Sequence, residues 1–124
     1  MPHALTSEHI RYLIRHQSPW TASGLRNRAL MLCYVLGGMT TAEIRALRVE
    51  EVAGLRSDGL RAAIRAYLHT LGRETGLVFA QLAGSEAPLS RQWISALLNQ
   101  CAVDAGLRPE YVTAWALKRS GAHF

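Results

Sequence analysis

Apolar residues recur every three or four positions along most of the chain, which is the spacing of one face of an α-helix. The first such pattern predicts a helix that Thr6 caps and that ends before Ser18–Trp20. Leu5 precedes the cap and is expected to pack on Ile10, as in a hydrophobic staple. The next pattern, from about Gly24 to Leu36, is apolar nearly all round. We expect it to form the central buried helix.

A pair of glycines, Gly37 and Gly38, ends the second helical pattern. Paired glycines allow a sharp corner, and such corners often hold a backbone or a side chain close to a ligand. Thr40 and Glu43 follow at the spacing of a capping box, which predicts a short third helix. The inner face of this helix carries Ile44 and Leu47. We interpret Thr40 as the residue that holds the start of the helix.

The chain after the third helix continues with helical patterns and one short apolar run. The stretch "RSDG" (Arg56–Gly59) predicts a turn, and a fourth helix is expected over about Leu60–Leu71. Its inward residues are predicted to be Leu60, Ile64, Tyr67, Leu68 and Leu71. The run "GLVFAQL" (Gly76–Leu82) is the strand candidate, and it is short.

A polar loop, "GSEAPLS", separates that run from the last two helical patterns. Ser90 is expected to cap a fifth helix over Arg91–Ala105, with Gly106 as the residue just beyond its end. The buried face of this helix is predicted to hold Trp93, Ile94, Leu97, Leu98 and Cys101. A last helix is expected from about Thr113. The pattern therefore predicts a single, mainly α-helical domain over residues 1–124.

Composition removes several classes of protein. Hydrophobic residues make up 49% of the chain and charged residues 19%, which is typical of a globular domain. No apolar run is long enough for a membrane span, and the start lacks a signal-peptide pattern, so we expect a cytoplasmic protein without membrane contact. Cys33 and Cys101 lie in apolar helical patterns and are interpreted as buried thiols. The five histidines show no ligand spacing, so neither a metal nor another cofactor is expected.

The net charge of the chain indicates which kind of partner it could bind. The chain has 14 Lys and Arg against 9 Asp and Glu, a formal net charge of +5, and Lys118 is the only lysine. The planar fork of arginine suits phosphates and base edges. A basic excess favours nucleic acid or another acidic partner, while a solvated basic surface explains it equally well.

Two long segments resemble the catalytic domain of tyrosine recombinases, the phage integrase family. The first is "LTSEHIRYLIRHQSPWTASGLRNRALMLCYVLGGMTTAEIRALRVEEV". It resembles the family pattern of L-T-x-E-E, then G-x-R-(D/N)-x-A-L, then T-G-L-R-x-x-E. The second is "LSRQWISALLNQCAVDAGLRPEYVTAWALKRSGA". It resembles the family segment in which a helix is followed by A-G-L and then by (V/I)-T-x-H-x-L-R. The similarity covers Leu5–Val52 and Leu77–Ala122.

The catalytic positions of the family are occupied by other residues in this chain. The resemblance aligns the first catalytic arginine with Thr40, the histidine with Trp115 and the second arginine with Lys118. Only a few residues lie where the family has its lysine-bearing β-hairpin, and all four tyrosines precede Lys118. Phosphoryl transfer to a tyrosine needs cations on the phosphate oxygens, a proton donor and the nucleophile. The resemblance therefore implies a compact helical core without the full β-hairpin sheet or the C-terminal tyrosine segment, and no enzymatic activity.

Several basic residues are candidates for contact with DNA. By resemblance to the family, the residues that face DNA are Arg45, Arg48, Arg91, Lys118 and Arg119. A second basic face is predicted on the fourth helix, where basic residues recur every four positions: Arg61, Arg65, His69 and Arg73. A solvated face is the other interpretation of that stripe. At the corner, an alternative to simple capping is that Thr40, Thr41 and Lys118 still hold a phosphate without cleaving the DNA.

The sequence thus favours a non-catalytic DNA-binding protein with the fold of a tyrosine recombinase, regulatory or accessory to a mobile element. The alternative is a protein-interaction module that self-associates or binds a recombinase or another acidic partner without DNA. Salt-dependent DNA binding separates the two hypotheses, because only the first requires contacts with phosphates.

Overall fold

Within residues 5–81 and 86–121, the part of the chain that the computed structural model describes, six α-helices account for more than half of the positions. Two short 3₁₀ helices, Val49–Gly54 and Pro109–Tyr111, lie between them. The α-helices are α1 (Ser7–Arg15), α2 (Ala22–Val35), α3 (Thr41–Ala46), α4 (Asp58–Leu71), α5 (Arg91–Asp104) and α6 (Ala114–Ser120). The prediction of a mainly α-helical fold is confirmed.

A serine or threonine hydroxyl caps the start of each of these helices by accepting a backbone N–H from the first turn. The caps are Thr6, Thr21, Thr40, Ser57, Ser90 and Thr113. Each cap satisfies one of the N–H groups that a helix start leaves without an intrahelical partner. The predicted caps Thr6, Thr40 and Ser90 are confirmed. The predicted turn Arg56–Gly59 is wrong in its second half, because Ser57 already caps α4 and Asp58 and Gly59 belong to the helix.

Helix α2 runs through the centre of the fold, as its apolar pattern predicts. It packs against α1, α3, α4 and α6. One hydrophobic cluster takes residues from all six α-helices. Its largest fully buried side chains include Tyr34, Phe79, Ile10, Leu13, Leu30, Met31, Ile44, Leu60, Ile64, Ile94, Leu98 and Leu117. Burial of this set excludes water from the centre of the fold and provides most of the hydrophobic stabilisation.

The apolar run predicted as a strand is extended and buried, but it forms only isolated bridges over its described part. Leu77 pairs with Arg48, and Ala80 pairs with Pro88. The Val78 N–H donates to the Leu47 carbonyl at 3.0 Å. Because the chain enters a 3₁₀ helix at Val49, the pairing has no room to extend into a ladder. The strand prediction is therefore wrong, and its last residue, Leu82, lies outside the described residues.

The core-facing side of α5 differs from the prediction at Trp93. The buried residues of this helix are Ile94, Leu98, Cys101 and Ala102. Trp93 is 39% exposed, because it precedes Ile94 by one position and therefore lies at the edge of the buried stripe. Leu97 is partly buried at the same boundary. The end of the helix follows the prediction, since Gly106 adopts a φ of 76° just beyond it.

Both cysteines are free thiols in the core, as predicted. Burial raises the pKa of Cys33 to about 12 and that of Cys101 to about 11. Cys101 also lies within hydrogen-bond distance of two amides, with Sγ 3.6 Å from Gln17 Oε1 and 3.7 Å from Asn27 Nδ2. These thiols pack the core and are poor nucleophiles at neutral pH.

Candidate nucleic-acid interface

The glycine corner between α2 and α3 brings two helix ends together. Gly38 has a φ of 59°, which lets the chain reverse direction directly after α2. The Met39 N–H then donates to the Cys33 carbonyl at 3.1 Å. As a result Thr41, in the first turn of α3, reaches Tyr34 near the end of α2, and their hydroxyl oxygens lie 2.7 Å apart.

The polar groups of this corner bind one another. The Thr40 hydroxyl accepts the Glu43 N–H at 3.2 Å, and the Glu43 carboxylate accepts the Thr40 N–H at 2.9 Å. Thr40 therefore holds the start of α3, as predicted. The hydrogen bonds disfavour the alternative in which Thr40, Thr41 and Lys118 hold a phosphate. A negative carboxylate already occupies the Thr40 N–H, and the Thr41 hydroxyl is shared with Tyr34.

The charge of Lys118 in α6 acts on the first turn of α3, although the two are far apart in sequence. Hydrogen bonds from the Thr40 backbone and hydroxyl lower the pKa of the Glu43 carboxyl, and the nearby charge of Lys118 lowers it further. The end of α6 is held against the end of α2 by Gly121. A Cβ atom on Gly121 would stand 2.1 Å from the Val35 carbonyl oxygen.

The charge of Arg91, in the first turn of α5, acts on Tyr34 of the same corner. Burial raises the pKa of the Tyr34 phenol, and the nearby positive charge of Arg91 opposes that rise. Arg91 is itself exposed. Two exposed cations from two different helices, Arg91 and Lys118, therefore act electrostatically on groups of the corner.

Helix α6 exposes an aromatic and cationic pair beside Lys118. Trp115 is 68% exposed, so it is not a core residue. The Arg119 guanidinium lies 4.9 Å from the centre of its ring, within the range of a cation–π contact. The side chain at the position that the resemblance aligns with the family histidine therefore lies on the surface and contacts an arginine.

Arg45 and Arg48 are engaged in contacts within the fold. The half-buried Arg45 donates its Nε–H to the Leu89 carbonyl at 2.8 Å, which ties α3 to the segment before α5. Arg48 forms ion pairs with Glu50 at 3.2 Å and with Glu86 at 3.1 Å. Both residues were predicted to face DNA. In the structure, Arg45 donates a hydrogen bond to a backbone carbonyl and the charge of Arg48 is paired with two carboxylates.

The predicted basic stripe on α4 does not form as a continuous face. Arg61 pairs with Asp58 and also donates to the Leu55 carbonyl. Arg73 lies beyond the end of α4, because Gly72 adopts a φ of 67° and turns the chain. Its Nη1 donates to the Leu77 carbonyl at 2.8 Å and to the Val78 carbonyl at 3.1 Å. Arg65 and His69 remain as exposed side chains on the helix.

One cationic site was missed by reasoning from the sequence. The Arg26 guanidinium of α2 lies 4.8 Å from the centre of the Trp93 ring of α5. It also donates to the Asn27 side-chain oxygen from Nε and Nη2. The sequence carries Arg26 only as part of the family-like G-x-R-N motif, and no local pattern indicates that a distant tryptophan lies beside it.

No helix in residues 5–81 or 86–121 combines the length and the apolar character that a membrane span requires. Across the same residues, no group of three His, Cys, Asp or Glu side chains converges as metal ligands would. Comparison of the chain with models of protein families, with curated proteins and with solved structures found no match.

Proposed function

We propose that this chain is a non-catalytic DNA-binding protein derived from a tyrosine-recombinase fold, with a regulatory or accessory role at a mobile element. The observation that carries the proposal is the exposed cationic surface of α6, where Lys118 and Arg119 are both exposed and Arg119 lies 4.9 Å from the centre of the Trp115 ring; Arg91, at the start of α5, is a third exposed cation. We call Arg91, Lys118 and Arg119 the corner cations.

The corner cations suit the backbone of a duplex. All three side chains are exposed, and each can place donors on a phosphate oxygen. The chain as a whole carries a formal charge of +5, which favours the approach of a polyanion. Arg45 retains the N–H donors that do not bind the Leu89 carbonyl, so it is available for a secondary contact.

The proposal includes no catalytic activity, because the residues at the positions of the family's catalytic groups cannot carry out phosphoryl transfer. Threonine cannot neutralise a phosphorane, and the indole of Trp115 is neither an acid nor a base. Lys118 keeps one charge without the bidentate fork of arginine. The protein is therefore proposed to occupy DNA without cutting it.

A salt titration tests the proposal. The affinity for a random duplex, measured by fluorescence anisotropy, is expected to fall with salt with a log–log slope of about −0.9 per phosphate contacted. Lys118→Ala, Arg119→Ala and Arg91→Ala should each reduce the slope by about one unit. Arg65→Ala is the matched control, since Arg65 is an exposed arginine on α4 and should leave the slope unchanged. Absence of binding at low salt would refute the proposal.

Exposed tryptophans support a second candidate function, that of a protein-interaction module. Trp20 is 89% exposed and Trp115 is 68% exposed, and tryptophan is enriched in protein interfaces. In this case the chain associates with itself or with a recombinase. Sedimentation velocity over a range of concentrations measures self-association directly, and Trp115→Ser should weaken it. A concentration-independent monomer that binds DNA would leave the first function in place.

A further inference from the structure

The loop between α1 and α2 presents a tryptophan to solvent at a fixed position. Trp20 is 89% exposed, more than any other large hydrophobic side chain in the described residues. Its backbone N–H donates to the Ser18 hydroxyl at 3.1 Å. Ser18 in turn lies against α2, because a Cβ atom on Gly24 would stand 2.0 Å from the Ser18 carbonyl oxygen. The contacts of the backbone therefore hold the loop in place and leave the Trp20 ring in water.

An ordered indole in solvent is available for a partner. Within the part of the chain that the structure describes, no other ring or guanidinium group packs on Trp20. The Trp115 and Trp93 rings, in contrast, each have an arginine over them. Exposed aromatic side chains of this kind are typical of binding surfaces.

Helix α1 carries further aromatic and basic side chains just before this loop. Tyr12, Arg15 and His16 follow one another at three- and four-residue spacing and are all exposed, so they share the outer face of the helix. The ring centres of Tyr12 and His16 lie 5.9 Å apart. Trp20 follows His16 by four positions, which the chain can span over at most about 14 Å. These side chains therefore belong to one surface.

The charge of this surface is positive. Residues 9–42 include no Asp or Glu. Arg28 lies one helical turn after Gly24, on the face of α2 that the loop covers, and it is partly exposed. Within the described residues, neither Arg15 nor Arg28 forms an ion pair. We call Tyr12, Arg15, Trp20 and Arg28 the loop surface, and it lacks a counter-charge of its own.

A single strand of DNA supplies both groups that the loop surface lacks. Its unpaired bases have flat faces that stack on aromatic side chains, and its phosphates pair with arginines beside the rings. A duplex keeps the faces of its bases inside the stack. An apolar protein surface would cover the two arginines without providing a counter-charge, which is costly.

The loop surface is separate from the corner cations. It lies before the start of α2, whereas the glycine corner follows the end of this 14-residue helix. At a rise of 1.5 Å per residue, the helix places the two about 20 Å apart.

We propose that the loop surface binds single-stranded DNA, with a base stacked on Trp20 and phosphates on Arg15 and Arg28. The choice of DNA rests on the proposed function, whereas the residues that form this site differ from the corner cations. A protein with both sites holds the duplex part and the unpaired part of one DNA molecule at opposite ends of α2.

Fluorescence anisotropy of a short, labelled oligothymidylate tests the stacking contact. Trp20→Ala is expected to weaken binding at least about tenfold, a loss of about 1.4 kcal/mol, because the base loses its aromatic platform. Trp20→Phe keeps a ring and should weaken binding less. Trp115→Ala is the matched control, since Trp115 is also highly exposed but lies on α6, and it should leave the affinity for the single strand unchanged.

Two comparisons separate stacking from charge and one site from the other. An oligomer of the same length with abasic sugars keeps the phosphates and should bind at least about tenfold more weakly. Arg15→Gln should reduce the salt slope for the single strand by about 0.7, whereas Arg65→Gln should not. Lys118→Ala should weaken binding of a duplex alone, and Trp20→Ala should weaken binding of the single strand alone.

Equal affinities for the abasic oligomer and the oligothymidylate would overturn the proposal, because charge alone would then account for binding. Duplex binding without single-strand binding would overturn it and leave the proposed function intact. Single-strand binding that depends on Trp20, without duplex binding, would support this site and refute the proposed function alone. Self-association that Trp20→Ala abolishes, with no single-strand binding, would assign the loop surface to a second copy of the chain and would also overturn the proposal.

Discussion

The Tyr34 phenol and the Thr41 hydroxyl share a hydrogen bond of 2.7 Å across the glycine corner. Tyr34 is fully buried, so this bond satisfies a polar atom within the core and fixes the end of α2 against the start of α3. The position of α3 relative to Lys118 and Arg91 therefore depends on a contact inside the fold.

Replacing Thr41 with valine keeps the shape of the side chain and removes its hydroxyl. We expect Thr41→Val to lower the free energy of unfolding by about 1–3 kcal/mol, since the buried phenol loses its partner. Urea denaturation measures the change. Thr70→Val is the control, because the exposed Thr70 hydroxyl only donates back to the Ala66 carbonyl of its own helix, and it should change stability by less than about 0.5 kcal/mol. Equal effects of the two substitutions would contradict the role of the Tyr34 contact.

Gly121 sets the distance between α6 and α2. A Cβ atom at this position would stand 2.1 Å from the Val35 carbonyl oxygen, a backbone atom that cannot turn aside. Gly121→Ala is expected to cost about 1–3 kcal/mol through overpacking. Gly54→Ala is the matched control, because nothing lies within 4 Å of a Cβ atom there. Thermal unfolding that is unchanged by Gly121→Ala would show that α6 does not need this close approach.

The stability of the fold is expected to depend on pH through the Glu43 carboxyl at the corner. Hydrogen bonds from Thr40 hold the pKa of its carboxyl below the ordinary value of 4.5. A depressed folded-state pKa stabilises the fold fully above the unfolded value, and this stability is lost as pH falls through the folded value. The melting temperatures of the wild type and Glu43→Gln should therefore differ most above pH 4.5 and converge below it.

The residues at the corner are expected to leave DNA intact. A nicked suicide substrate traps a covalent adduct when a tyrosine attacks the phosphate, and we expect none with the wild-type protein. Thr40→Arg/Trp115→His/Lys118→Arg restores three groups of the resembled family but supplies no nucleophile. This triple variant should therefore also give no adduct. An adduct that disappears when one tyrosine is changed to phenylalanine would contradict the non-catalytic assignment.

The parts of the fold that the sequence predicts are those set by neighbouring residues. The caps Thr6, Thr40 and Ser90 and the end of α5 at Gly106 depend on local hydrogen bonds and backbone angles, and all four are confirmed. The central position of α2 follows from its apolar surface alone.

The incorrect predictions concern contacts between distant parts of the chain. Arg73 has the sequence spacing of the α4 stripe, but α4 ends before it, at Gly72. The Arg73 side chain therefore donates to the carbonyls of Leu77 and Val78. Trp93 is apolar and aromatic like a core residue, but it is 39% exposed, because the rotation of α5 about its axis decides which of its side chains face the core. No sequence period encodes that rotation, and for the same reason the contact between Arg26 and Trp93 was not foreseen.

The extended segment Leu77–Ala80 has a consequence for the order of folding. It is held on one side by the bond from the Val78 N–H to the Leu47 carbonyl and on the other by the bond from the Leu89 N–H to the Phe79 carbonyl. The first of these closes a loop that contains the whole of α4, so the chain must give up loop entropy before the contact forms. The helices, whose bonds are local, can form earlier. We therefore expect the insertion of this segment to limit the folding rate, and its amides to exchange with solvent only when the whole domain unfolds.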